Sequence, residues 1–337
     1  MIDKLHITEK SKIYVLCPSN LKTGGTELLH QLVASLLSFN KNAYIAYYLE
    51  GKYDSDRPTP EAFEKYIGDQ WCRVNEIEDA PDNVAIFPET SLGKSKKLHK
   101  LQKCAWWLSV DNYIVMKGMH NRLKQYGIMS YLKHLVLNDY FNDDIIATIP
   151  VHLFQSFYAA DFVRSKGVSD DSLFYLSDYI NDIYMRDFDY RDRKNIVAYN
   201  PKKGIEYTKK IISSAPDISW VPIVNMTDDE VKNLLGTAKV YIDFGNHPGK
   251  DRIPREAAMS GCCVITDLKG SAAYEQDVPI PSKYKFKDID RNIPAVISQI
   301  EYCFDKYETA TREFDRYRMV IKDEKREFDK CVKYIFL

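Results

Sequence analysis

Between residues 12 and 49 the chain reads strand, loop, helix, strand, and this order constrains the fold more than any other feature. "KIYVLC" (12–17) is a β-branched and aromatic run of strand type. "PSNLKTGGT" follows as a loop. "ELLHQLVASLLSF" (27–39) then sets Leu28, Leu29, Leu32, Val33, Leu36 and Leu37 on one face at helical spacing. "NAYIAYYL" (42–49) is a second strand. A helix between two strands predicts a parallel pair joined by a right-handed crossover.

The alternation continues. "NVAIF" (83–87) and "CAWWLSV" (104–110) read as buried strands, with "HLVL" (134–137) and "HLFQS" (152–156) as further ones. "YAADFVRSKG" reads as a short helix and "SLFYLSDYI" (172–180) as a strand. The charged, aperiodic stretch 181–195 reads as a linker. A second block follows, with strands at 195–200, 218–224, 239–245 and 262–266. Its helix 227–238 opens on a capping box, Thr227 to Glu230. "PREAAMSG" predicts a short helix with Pro254 in its first turn and Gly261 past its end. From Ile289 onward the chain reads as charged helix. A chain of 337 residues is too long for one ordinary core. The predicted division is 1–185, 186–320, and a C-terminal helix 321–337 packing back on the first domain.

Composition excludes several classes. A formal net charge of −1 argues against a nucleic-acid-binding protein, which carries a basic excess. The seven cysteines form no C-x-x-C pair, and several lie in apolar runs, so they read as small core residues in a reducing compartment. The first dozen residues carry charges without a long apolar core, and no run of about 18 apolar residues occurs. A cytoplasmic protein is expected.

In open α/β sheets, ligands bind at the carboxyl ends of strands, so the loops that follow strands are the candidates. The first is "LKTGGTE" (21–27), where Gly24 and Gly25 permit close backbone approach and, with Thr26, open a helix. The second is "YNPKKG" (199–204). There Lys202 and Lys203 stand against the helix dipole beside Asn200, as a bound anion would require. The third is "HPGKDRIPRE" (247–256), in which Lys250, Arg252 and Arg255 crowd a helix start beside His247 and Glu256. The fourth holds Gly270 and Ser271. On the other half of the chain, Glu89 and Asp111 each follow a strand, as acceptor contacts, a base or helix caps.

These loops, in this order, resemble the retaining family 4 group of the GT-B glycosyltransferases. "KTGGTE" matches that family's Gly-Gly loop, Lys203-Gly204 its Lys-Gly, and "REAAMSGCCVITDLKGSA" its "EAMACGTPVV" block, with Glu256 at the second of two glutamates. The resemblance covers both halves but is specific only over 195–280. It implies an α/β GT-B fold, two Rossmann-like domains facing each other across a cleft. It further implies transfer of a sugar from a nucleotide-diphosphate donor to a saccharide, with retention, Lys203 on the diphosphate and Glu256 on the ribose. The sequence departs from the family where Pro248 replaces the first glutamate, and where Tyr199 and Asn200 stand in place of an arginine. Lys250 or Arg252 is expected to supply the missing positive charge.

Stabilising a diphosphate leaving group needs either a metal or fixed cations. "DFD" (187–189) and "DID" (288–290) end no convincing strand, and no His/Cys/Glu metal spacing appears. No metal and no cofactor are expected. The basic stretches 93–103 and 117–135, the second interleaved with apolar residues, suit an anionic membrane face and a lipid-linked, cell-surface polysaccharide acceptor. Two other readings fit the fold: a catalytically silent sugar- or nucleotide-binding protein, and a nucleotide-sugar epimerase.

Overall fold

The computed structural model describes residues 4–48 and 57–337; Leu49, the last residue of the second expected strand, lies outside them. The chain divides into two compact units, Met1–Asp178 with Arg326–Leu337, and Tyr179–Lys325.

The first unit is built on a seven-stranded sheet: β1 (Lys12–Pro18), β2 (Asn42–Tyr48), β3 (Trp71–Arg73), β4 (Val84–Pro88), β5 (Gln102–Trp107), β6 (Val151–Phe154) and β7 (Leu173–Tyr175). Their order is β3-β2-β1-β4-β5-β6-β7, and every pairing is parallel. The strands are covered on both faces, so β4 is buried throughout and carries no alternation of polarity. The chain order reverses between β1 and β4. Connections leave these two strands in opposite directions, which opens space at their carboxyl ends.

The second unit repeats the principle with five parallel strands: β8 (Lys194–Tyr199), β9 (Ser219–Pro222), β10 (Ala238–Asp243), β11 (Cys263–Asp267) and β12 (Lys285–Phe286). Their order is β12-β11-β10-β8-β9, so its reversal falls between β8 and β10. The capping box at Thr227 and Glu230 is formed, and Gly261 ends its helix at a φ of 96°.

The structure departs from the sequence reading at three places. "HLVL" is not a strand but the end of the helix Met119–Leu137, because a four-residue apolar run does not distinguish the two and Leu132, Leu135 and Val136 continue a helical spacing. β3 and β12 are too short to leave an apolar run. The stretch 181–195 is not a linker but part of the second unit. Ile180 and Tyr184 enter its hydrophobic core, and the Arg193 guanidinium donates to the carbonyls of Leu235 and Ala238. That unit therefore starts at Tyr179, ahead of the expected boundary. The last helix, Asp315–Phe336, gives its residues from Arg326 onward to the first unit, where the Ser35 hydroxyl donates to Asp329 at 2.7 Å. Among the described residues no helix is long and apolar enough to cross a membrane.

Candidate functional site

The second unit gathers its charged residues where the topology opens it. β8, β10 and β11 are neighbours, and the loops after them meet backbone to backbone. Three glycines make this possible. A Cβ on Gly204 would lie 2.2 Å from the Phe244 carbonyl oxygen, one on Gly245 2.2 Å from Lys203 Cβ, and one on Gly270 2.0 Å from the His247 carbonyl oxygen. Gly204 and Gly270 also take positive φ, which side chains disfavour. Ser271 bolts the third loop in place: its amide donates to the His247 carbonyl and its hydroxyl to that of Gly249. Asn200 shapes the first loop by accepting the Lys202 amide.

The bolted loops hold a compact charge network. Lys203 Nζ donates to both Asp251 oxygens at 2.7 Å. His247 Nδ1 lies 2.9 Å from the same carboxylate. Its Nε2 is 3.9 Å from Asp243 and 3.7 Å from Asp267, the last residues of β10 and β11. Asp243 also accepts from the Tyr241 hydroxyl and the Gly245 amide. The Asp267 carboxylate is buried without a well-aligned hydrogen bond, although Lys269 approaches it to 3.1 Å. Burial works against an imidazolium at His247, but the Asp251 hydrogen bond and the charges of Asp243 and Asp267 outweigh it and raise the His247 pKa. Burial likewise opposes ionisation of Asp251. His247 and Lys203 overcome it and lower that pKa. Asp243 and Asp267 are left with raised values, chiefly by burial.

Lys250 and Arg255, expected to face an anion, turn inward. Lys250 Nζ and Arg255 Nη1 each reach Glu324 at 2.7 Å, and all three side chains are buried. The positive charge of Lys250 and Arg255 is balanced by one carboxylate, which lies 69 residues beyond Arg255 in the chain. Arg252 opens the helix Arg252–Met259 half-buried. Glu256 is half-buried on that helix; after burial, its charge is the next cause of the raised Tyr184 hydroxyl pKa. Beside the network lies a cavity of about 460 Å³, lined by Tyr207, Asp267, Lys269, Phe286, Lys287 and Arg291 among others. Lys269 Nζ stands 4.3 Å over the Tyr207 ring. Sequence reasoning passed over Asp243, Asp267 and Lys269. The available signal was an aspartate closing each of two apolar strands.

The first unit's candidates are differently employed. Gly24, exposed, and Gly25, half-buried, open the first turn of the helix Gly24–Ser38, while Thr26 is its cap partner, exchanging hydrogen bonds with Thr23. Glu89 is buried, and its carboxylate accepts the Leu108 amide at 3.0 Å. Burial, partly offset by backbone amides, pushes its pKa up to about 7. Asp111 lies in the first turn of the helix Val110–Met116, which Ser109 caps. Gly25 comes against the Leu108 side chain, so the loops after β1, β4 and β5 converge here.

No protein-family model matches the sequence, and no curated protein matches it. Solved structures do match its fold. HepE of Anabaena, crystallised with UDP-glucose, superposes with a TM-score of 0.62 over 96% of this chain and 98% of its own, at 9% identity. The lipopolysaccharide outer core galactosyltransferase WaaB gives 0.58 over 96% and 99%, at 11% identity. Sucrose-phosphate synthase from Thermosynechococcus elongatus gives 0.57 over 97% and 95%, at 11% identity. The fold is that of the GT-B glycosyltransferases.

Proposed function

We propose that the second unit grips the diphosphate of a nucleotide sugar, and that the chain transfers the sugar to a saccharide acceptor. The observation that carries this reading is the position of Lys203. It lies at the reversal of the second sheet, ahead of the helix Ile205–Ser214, in a charge network whose Asp267 lines a cavity of nucleoside size. A diphosphate carries more charge than a carboxylate and would take Lys203 over from Asp251, which keeps its bond to His247. In the reaction, the bond from the anomeric carbon to the diphosphate oxygen breaks and its electron pair leaves on the diphosphate. A bond to an acceptor oxygen forms, and the proton that this oxygen loses passes to the departing diphosphate. Lys203 and the first turn of Ile205–Ser214 stabilise the charge growing on the leaving oxygen.

Retention of configuration and a ribose contact for Glu256 extend this reading from the family resemblance, with Gly24, Gly25 and Thr26 as further substrate contacts and Glu89 and Asp111 as the acceptor-side candidates. The reading also makes transfer metal-independent. Asp243, His247 and Asp251 offer ligand atoms within 4.8 Å of one another, a spacing that would suit a metal. Lys203 nevertheless engages both oxygens of Asp251, and His247 engages one of them.

Calorimetry against a panel of nucleoside diphosphates tests the assignment. Lys203→Ala should weaken binding about tenfold or more, the loss of a charge-assisted hydrogen bond. Asp251→Asn should tighten it about threefold by releasing Lys203, a fraction of the same interaction. Lys250→Met should leave affinity unchanged, and EDTA should leave turnover unchanged. Equal affinity in Lys203→Ala and the parent protein would sink the diphosphate assignment. Binding without nucleotide release for any acceptor would favour a silent binding protein.

A further inference from the structure

The helix Met119–Leu137 is apolar where it meets water. Within it Ile128, Met129, Leu132, Leu135 and Val136 recur at i, i+1, i+4, i+7 and i+8, the spacing of one helical face. Such a stripe normally turns into a core. Here the five side chains are 64%, 77%, 47%, 49% and 84% exposed. Arg122 is the helix's one buried residue.

The local structure explains why the stripe faces out. The first turns are tethered: the Arg122 guanidinium donates to the Met116 carbonyl, and Asn121 to that of Ile114. Gly127 then breaks the helix at φ 78° and ψ 177°, a backbone open to glycine, and redirects the part that carries the stripe. The far end is fixed by Asp139, which is held by His134 and Lys94.

Charge on this segment is one-sided. From Lys117 to Asn138 it carries Lys117, Arg122, Lys124 and Lys133 and no acidic residue; Lys117 is paired with Asp143 and Arg122 is buried, which leaves Lys124 and Lys133 to face outward. Lys124 and Lys133 are exposed. The basic run 94–97 joins the same region, where the Lys96 ammonium donates to the Tyr140 carbonyl.

We infer that Ile128–Leu137 is a docking helix for the surface of an anionic lipid bilayer. The apolar stripe enters the acyl boundary, and Lys124 and Lys133 extend their stems along it to reach lipid phosphates. One-sided positive charge fits an anionic layer, and a helix with a single apolar face and basic flanks lies in such an interface rather than across it. This inference stands apart from the reading of the donor site.

Co-sedimentation of the full chain with phosphatidylcholine vesicles, with and without phosphatidylglycerol, tests it. Binding is expected only to the anionic vesicles, and added salt should weaken it. Ile128→Ser, Met129→Ser and Val136→Ser combined should reduce binding at least about tenfold. Lys124→Gln and Lys133→Gln should each reduce it about fivefold. Circular dichroism should be unchanged, since none of these side chains is buried. No vesicle binding, or equal binding to both compositions, overturns the inference. So does light scattering that shows a dimer dissociated by the serine variant, because the stripe would then meet a second copy.

Discussion

Residues 247–255 and residues 119–137 both break the usual relation between polarity and burial, in opposite directions. The first stretch is among the most charged in the chain, yet His247, Lys250 and Arg255 are buried. The second is rich in large apolar side chains, yet exposes them. Burying ions costs several kcal/mol each unless they are paired, and exposing an apolar stripe forfeits about 25 cal/mol for every Å² left in water. Neither arrangement is what stability alone would select. The charged stretch has its partners inside the same unit: Glu324 for Lys250 and Arg255, and Asp243, Asp251 and Asp267 for His247. The apolar stripe has no such internal solution among the described residues. The difference separates a site built around its own charges from a surface shaped for something outside the chain.

Removing the partner of the buried cations should break the first half of this comparison most severely. Glu324→Ala leaves Lys250 and Arg255 facing each other in a dry environment, and the expected loss is about 3–5 kcal/mol. Glu324→Gln keeps the shape, loses the charge and should cost nearly as much. Lys250→Met added to Glu324→Ala should recover part of the loss, since contacting residues are not additive. Denaturant midpoints measure all three. A loss below about 1 kcal/mol for Glu324→Ala would mean that water reaches these groups.

Glu324 also shows where sequence reading reached its limit. The strand and helix order was legible because each element carries its own period: β1, the helix Gly24–Ser38 and the capping box at Thr227 are all local facts. Lys203 and the loop 247–256 were legible as candidates because strand ends are where α/β sheets bind ligands. What could not be read was which cations a distant residue already neutralises. Glu324 lies on a helix whose sequence gives no hint that it faces Lys250. The same holds for Glu89, an acid after a strand that the fold turns onto the Leu108 amide. Of the stripe at 128–136, Ile128, Met129 and Leu132 were legible as apolar residues in a basic segment, but Leu135 and Val136 read as a strand, and only the helix with its break at Gly127 sets all five outward.

A smaller effect should come from titrating the network. The pKa of His247 is raised above its ordinary 6.5, so its folded form binds a proton more tightly than the unfolded chain does. The stability it adds is complete below 6.5 and is lost as pH rises through the folded value. Wild-type stability should therefore fall as pH rises above 6.5, and His247→Gln should flatten that fall. Thermal melts from about pH 6 to about pH 10 compare the two slopes. Parallel slopes would show that folding does not shift the titration of His247.

The smallest effect belongs to the exposed stripe, and it discriminates best because one substitution can be made in both contexts. Leu235 lies in the core of the second unit with no exposed surface, and Leu235→Ala should cost about 2–5 kcal/mol through lost burial and the cavity left behind. Leu135→Ala removes the same atoms from a side chain half in water. It creates no cavity and places a better helix former on an exposed helix. Its expected change is within about 0.5 kcal/mol, in either direction. Denaturant midpoints for the two variants give the ratio directly. If Leu135→Ala costs as much as Leu235→Ala, the helix is covered in solution by the chain itself or by a second copy. If it costs nothing while vesicle binding weakens, the stripe contributes to association rather than to folding.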